Sequence, residues 1–143
     1  MKNIMEIKFK AIAENEAFAR SVVSSFILPL NPSLSELEDI KTAINEAISN
    51  AIVHAYPDKI GYITMKIVTE ANKISISITD NGIGIQDIER ALTPFYTSKP
   101  EQERSGMGFT VMESFMDKLE VVKNKQGITV LMSKEIMPSV VGI

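Results

Sequence analysis

Residues 73–79, KISISIT, alternate isoleucine with serine or threonine without a break. Successive side chains of an extended strand point to opposite faces, so Ile74, Ile76 and Ile78 share one face and Ser75, Ser77 and Thr79 the other. Such a strand belongs in a sheet that is covered on one side and open to water on the other, the usual condition of antiparallel sheets. Three further stretches fit the same sheet. Residues 62–68, YITMKIV, precede this strand across a short polar link containing Asn72. Residues 4–10, IMEIKFK, set Met5, Ile7 and Phe9 against Glu6, Lys8 and Lys10. Near the end of the chain, LEVVKN and GITVLMSK meet at a tight turn containing Gln126-Gly127.

Between these strands the apolar spacing becomes helical. From Glu14 to about Leu28 it places Phe18, Val22 and Phe26 four apart, and Pro29 and Pro32 end that helix. Ser35 fits an N-cap, with Glu38 completing a capping box, for a helix that runs to about Tyr56 and stops before Pro57. Leu37, Ile40, Ile44, Ile48 and Ala51 form its core stripe. A short helix is expected near Gln86 to Leu92. Another follows from about Gly108 to Lys118, burying Phe109, Met112, Phe115 and Met116. Several antiparallel strands with helices on one face give an α+β fold, a two-layer α/β sandwich.

At 143 residues the chain is expected to form one domain. With 45% hydrophobic and 23% charged residues it is globular in composition. It has no cysteine and a single histidine, which excludes disulfides, thiolate metal sites and multi-histidine metal sites. A net charge of −3 without a dense Lys/Arg run argues against direct nucleic-acid binding. No apolar run approaches the ~20 residues needed to cross a bilayer. The alternating N-terminus is unlike a signal peptide, so a cytoplasmic protein without membrane contact is expected.

Three features carry chemistry. On the helix from Ser35, the residues Glu46, Asn50 and His54 lie four apart and about 200° from the Ile44–Ile48 stripe. Ala43, Ala47, Ala51, Ile52 and Val53 flank them, so this second stripe reads either as a solvated face or as a cavity wall. Asn offers a neutral oxygen suited to Mg²⁺, and a glutamate one turn earlier is placed to accept a proton from an attacking hydroxyl. His54 reads as a structural hydrogen bonder at the helix end.

The second feature is ITDNGIGI, residues 78–85, which by itself is either a turn or a binding loop. The third is RSGMGF, residues 104–109, which places Gly106 and Gly108 at a helix N-terminus, where unpaired N–H groups suit phosphate oxygens. Four of the seven glycines sit in these two clusters. The polar stretch between them, 94–106, is long for a connector and reads as a lid. P-loop and protein-kinase motifs are missing.

This order of motifs resembles the Bergerat-type ATPase superfamily, which includes DNA gyrase, sensor histidine kinases and anti-sigma-factor serine kinases. The resemblance spans nearly the whole chain. NEAISNAIVHA matches its N box, with Glu46 and Asn50 in place, DNGIGI its G1 box and RSGMGF its G2 box. It implies bound ATP and Mg²⁺. In it, Asp80 accepts from the adenine amine, Thr129 supports that contact and Asn50 holds Mg²⁺. Gly82 and Gly84 lie under the base, with Ile78, Ile83 and Ile85 lining or supporting the pocket. Gly106 and Gly108 enclose the phosphates with the lid. Arg104 is either a γ-phosphate contact or a solvated lid arginine. Ser105 stands where many members have glycine, which stiffens the loop.

The length leaves no room for a phosphoacceptor helix pair. Glu46 favours transfer to a hydroxyl, which gains from a base, over transfer to an imidazole. A bare domain with this glutamate is most similar to the anti-sigma serine kinases of sporulating bacteria, with the general-stress switch kinases as an alternative. Members hold a sigma factor in an ATP-bound homodimer and phosphorylate a serine of an anti-anti-sigma protein. An ATP-gated binding module without phosphotransfer is the rival reading. Glu16 and Arg20, expected on the exposed side of the first helix, either pair with each other or meet a partner.

Overall fold

The computed structural model of the chain describes residues 1–84, 92 and 108–137. The alternating segments form one five-stranded antiparallel sheet. Its strands are β1 (Asn3–Lys10), β2 (Tyr62–Glu70), β3 (Lys73–Asp80), β4 (Lys118–Lys123) and β5 (Ile128–Glu135), in the order β1-β2-β3-β5-β4. Met65 pairs with Ile78, and Ile78 in turn with Val130. Ile76 is likewise flanked by Ile67 and Met132. These residues are all buried and make the sheet side of the core. Ser75, Ser77 and Thr79 are half-buried on the other side, as the alternation requires.

The helices are α1 (Glu14–Ile27), α2 (Leu34–Asn50) and α3 (Gly108–Phe115), with a short 3₁₀ turn at Leu28–Leu30. α2 packs against α1, α3 and β3, which makes it the centre of the helical layer. Ile40, Ile44 and Ile48 are completely buried there, and Ala43 and Ala47 are buried with them. The small alanines let the neighbouring helices approach, so they belong to the core and do not flank an open face.

One expectation is corrected, the cap of α2, and two are refined. The buried stripe of α1 is Ala19, Val23 and Ile27, while Phe18 is 50% exposed. α1 turns these three residues towards the core, with Val22 and Phe26 partly buried beside them. The cap of α2 is Ser33, two residues before the expected Ser35. Two overlapping Ser-x-x-Glu patterns compete here, and the earlier one forms the reciprocal pair: Glu36 N–H donates to the Ser33 hydroxyl at 3.1 Å, and Ser33 N–H to Glu36 Oε1 at 2.9 Å. Glu36 Oε2 also accepts from Met137 N–H at 2.8 Å, a bond that Glu38 does not make. The helical backbone runs on to Ala55, as expected of a helix ending at about Tyr56, but its last turn, Ala51–Ala55, is a wider π-helical one. The expected helix near 86–92 and the polar stretch 94–106 fall almost wholly outside the described residues.

Candidate nucleotide site

Strand alternation carries Asp80 to the core side of β3, one step beyond the Ile74, Ile76 and Ile78 series. It is only 4% exposed. A carboxylate there must be supplied with donors. Its Oδ1 accepts from Gly82 N–H at 2.9 Å and from Ile128 N–H at 3.4 Å. Burial raises its pKa, and these two backbone bonds only partly oppose that. Both donors address the same oxygen, which leaves Oδ2 as the acceptor for a ligand.

The turn after Asp80 is built by close approach. A Cβ on Gly82 would come 2.2 Å from the carbonyl oxygen of Ala55, so the π-helical turn sits directly on it. Ile83 N–H donates to that same Ala55 oxygen at 3.0 Å. Gly84 has φ +79°, a left-handed conformation that glycine adopts without steric cost. Asp-Asn-Gly is therefore a turn in its backbone and a carboxylate mount in its side chain. Ile78 is buried beneath it, whereas Ile83 is 74% exposed.

The widened turn connects this mount to the acid–amide stripe. Glu46 and Asn50 are half-buried on the last turns of α2, immediately before Ala51. A π-helical turn changes the angular phase of the residues after it, and such turns recur at functional sites. Here it delivers Ala55 and Tyr56 to the Asp80 turn. Gly108 is buried at the first position of α3, as expected for a helix start. Arg104, Ser105, Gly106 and Ile85 lie outside the described residues.

Thr129 is not brought to Asp80. Its hydroxyl bonds to that of Thr79 at 2.9 Å and accepts from Asn124 Nδ2 at 2.9 Å. Thr79 and Thr129 are paired across β3 and β5 on the open side of the sheet, opposite to the Asp80 side chain. It is Ile128 that shares the buried side, and it contributes its backbone N–H. Glu16 and Arg20 also depart from expectation. Both are half-buried and turned towards α2, where Arg20 donates to Asn45 and Glu16 accepts from Ser49.

Sequence reading missed Tyr56, Gly61 and the approach of Gly127. Tyr56 is 6% exposed, and its hydroxyl donates to the Tyr62 carbonyl at 2.7 Å while accepting from Asn81 N–H at 2.7 Å. A tyrosine just before Pro57, at the end of a helix that carries functional side chains, was the available signal.

A buried carboxylate with one committed oxygen, framed by glycines against a helix end, suits a flat heterocycle with an amine donor. Among the described residues no three His, Asp or Glu side chains gather as a protein-made metal centre. Asn50, half-buried at the end of α2, is of a type that offers one neutral amide oxygen, which suits an Mg²⁺ carried mainly by phosphates. Helices on one face of an antiparallel sheet, with the acid–amide helix and the Asp-x-Gly-x-Gly turn in contact, define a Bergerat-type ATP-binding domain. The chain belongs to the histidine kinase-like ATPase domain family, which it matches over residues 9–134.

Its relatives extend the likeness over nearly the full length. It is 50% identical to the anti-sigma F factor of Clostridium acetobutylicum over 94% of this chain and 95% of that one. It is 52% identical to that of Clostridium perfringens strain 13 over 94% and 98%. The fold is shared with about a third of the chain in the crystal structure of the RsbU and RsbW domains of Rv1364c from Mycobacterium tuberculosis (TM-score 0.67, 15% identity, 94% of this chain and 32% of that one). It is also shared with the catalytic domain of histidine kinase ThkA (TM-score 0.61, 16% identity, 94% and 96%).

Proposed function

We propose that the chain is an anti-sigma factor and an ATP-dependent protein-serine kinase, acting in the cytoplasm of a sporulating cell as a homodimer. It binds and inhibits a sporulation sigma factor, and it phosphorylates a serine of an anti-anti-sigma protein. The observation that carries this reading is the identity of about half of all positions with proteins named anti-sigma F factor, over 94% of the chain. The relatives are covered over 95% and 98% of their own length.

Residue roles follow from the chemistry of the site. Asp80 Oδ2 accepts from the 6-amino group of adenine, where guanine carries a carbonyl. Asn50 gives one oxygen to Mg²⁺, which when bound offsets charge on the phosphates. Gly82, Gly84, Gly106 and Gly108 bring backbone against the nucleotide, with Arg104 and Ser105 on the phosphate side. The serine oxygen attacks the γ-phosphorus, the bond to the β–γ bridging oxygen breaks, and ADP leaves. Glu46 takes the serine proton.

The reading is tested with labelled ATP, Mg²⁺ and a lysate of the source cell. A small protein labelled on serine, and not labelled by the Asp80→Asn variant, is the expected result. Steady phosphate release without a labelled protein makes the chain a plain ATPase. Nucleotide binding with neither release nor transfer makes it a gated binding module.

A further inference from the structure

β2 and β3 run antiparallel with Ile63 opposite Asp80, so the next rung would join Tyr62 to Asn81. That rung is not closed by a direct backbone bond. The Tyr56 hydroxyl stands in it, accepting from Asn81 N–H and donating to the Tyr62 carbonyl, each at 2.7 Å. One inserted oxygen holds the two strands apart at the residue after Asp80, where the chain must leave the sheet. Beyond it, Gly82 N–H is taken by Asp80 Oδ1 and Ile83 N–H by the Ala55 carbonyl. Three consecutive amides, 81 to 83, are therefore each assigned a different acceptor, two of them supplied by the end of the π-helical turn. The ring that carries the hydroxyl is itself braced: a Cβ on Gly61 would come 2.2 Å from it.

From this geometry we infer that Tyr56 is a positioning residue for base recognition, fixing the Asp80 carboxylate through the Asn81 backbone. The inference rests on Asp80 being the adenine reader. Without the hydroxyl, the Tyr62 carbonyl and the Asn81 amide either bond directly, drawing the turn towards β2, or remain unsatisfied. The first moves the turn that carries Asp80, and the second removes a bond that fixes it. Discrimination between adenine and a base with a carbonyl at that position depends on where Oδ2 points. Loss of the hydroxyl therefore narrows selectivity, whereas general loosening of the fold weakens both ligands alike.

The experiment measures ATP and ITP affinities for the wild-type chain, Tyr56→Phe, Gly61→Ala and Asp80→Asn. Inosine carries a carbonyl in place of the adenine amine. In Tyr56→Phe, ATP affinity should fall by on the order of tenfold, with most of the ATP-over-ITP preference lost and ITP affinity nearly unchanged. Gly61→Ala, which keeps the hydroxyl but displaces its ring, should narrow the preference in the same direction and carries the test if Tyr56→Phe does not fold. In the wild-type chain the Asn81 amide should be protected from hydrogen exchange. An Asn81 amide that exchanges like a free peptide overturns the inference, as does a wild-type preference in a folded Tyr56→Phe. If Asp80→Asn retains the preference, it is the adenine assignment itself that fails.

Discussion

Gly127 stands so close to Asp80 that a Cβ in place of its hydrogen would lie 2.1 Å from the Asp80 carbonyl oxygen and 2.6 Å from Oδ1. Its φ of +80° adds a second demand for glycine. The Gln126-Gly127 turn therefore closes the hairpin and also forms the wall behind the carboxylate. Gly127→Ala should cost about 1–3 kcal/mol of stability and weaken ATP binding, because the carboxylate has to move. Chemical denaturation and nucleotide titration of the same variant check both effects. Wild-type values in both would show that the approach is looser than described.

Asp80→Asn keeps the shape of the side chain but changes what it offers. With the amide oxygen accepting from Gly82 and Ile128, the NH₂ group faces the adenine amine, donor against donor. ATP affinity should fall about a hundredfold or more. The nucleotide-free fold should be at least as stable as wild type at neutral pH, because a buried charge has been removed. Melting temperature and nucleotide titration separate the two. A variant that binds ATP normally removes Asp80 from base recognition.

The raised pKa of Asp80, caused mainly by burial, gives a pH signature. A folded-state pKa above the ordinary 3.8 means that the Asp80 contribution to stability is fully present below 3.8 and is lost as pH rises through the raised value. ATP binding runs the other way. Once protonated, Oδ2 donates instead of accepting, so affinity should fall as pH drops through that value. For Glu36, burial is outweighed by bonds from Ser33 and Met137 and by the Lys134 charge, so its pKa is lowered. Its stabilising contribution is present above 4.5 and lost as pH falls through its folded pKa. Nucleotide titrations across the acid range, with Asp80→Asn as reference, should show an affinity loss in wild type that the variant lacks.

Glu46→Gln should keep ATP binding and slow phosphate transfer by on the order of 10²-fold or more. Single-turnover transfer from labelled ATP to the acceptor protein measures this apart from binding. Normal transfer by the variant would sink the assignment of Glu46 as the base.

Arg20→Ala removes the donor that reaches Asn45 and so loosens α1 from α2, at a cost of about 1 kcal/mol. Any loss of partner binding in this variant is to be read against its melting temperature. Unchanged stability would mean that the Arg20 side chain spends its time away from α2.

The sheet was legible because period two leaves little freedom: once Ile74, Ile76 and Ile78 face inward, Asp80 must follow. The N-box helix was legible because Glu46 and Asn50 interrupt a run of alanine and isoleucine. Thr129 was misplaced because its motif was matched by position along the strand. The parity of β5 against β3 decides which face a residue takes, and that parity puts Ile128 with Asp80. In α1 the spacing showed a helix but not which apolar residues lie deepest: Ala19, Val23 and Ile27 do, with Val22 and Phe26 beside them. Tyr56 escaped notice for a related reason. Its role lies in a contact between the end of one helix and the rung between two strands, and no local pattern encodes that.

The Ile128 amide reaches Asp80 across 48 positions of sequence. The chain leaves β3 beside the carboxylate, forms α3 and β4 on its way, and enters β5 beside the same carboxylate. Lengthening such an excursion costs little, only about 0.6 kcal/mol for each doubling. The Asp80 and Gly127 turns thus form one circuit, closed through the carboxylate. A chain built this way can take an insertion between Gly84 and Gly108 while the carboxylate keeps both of its backbone donors.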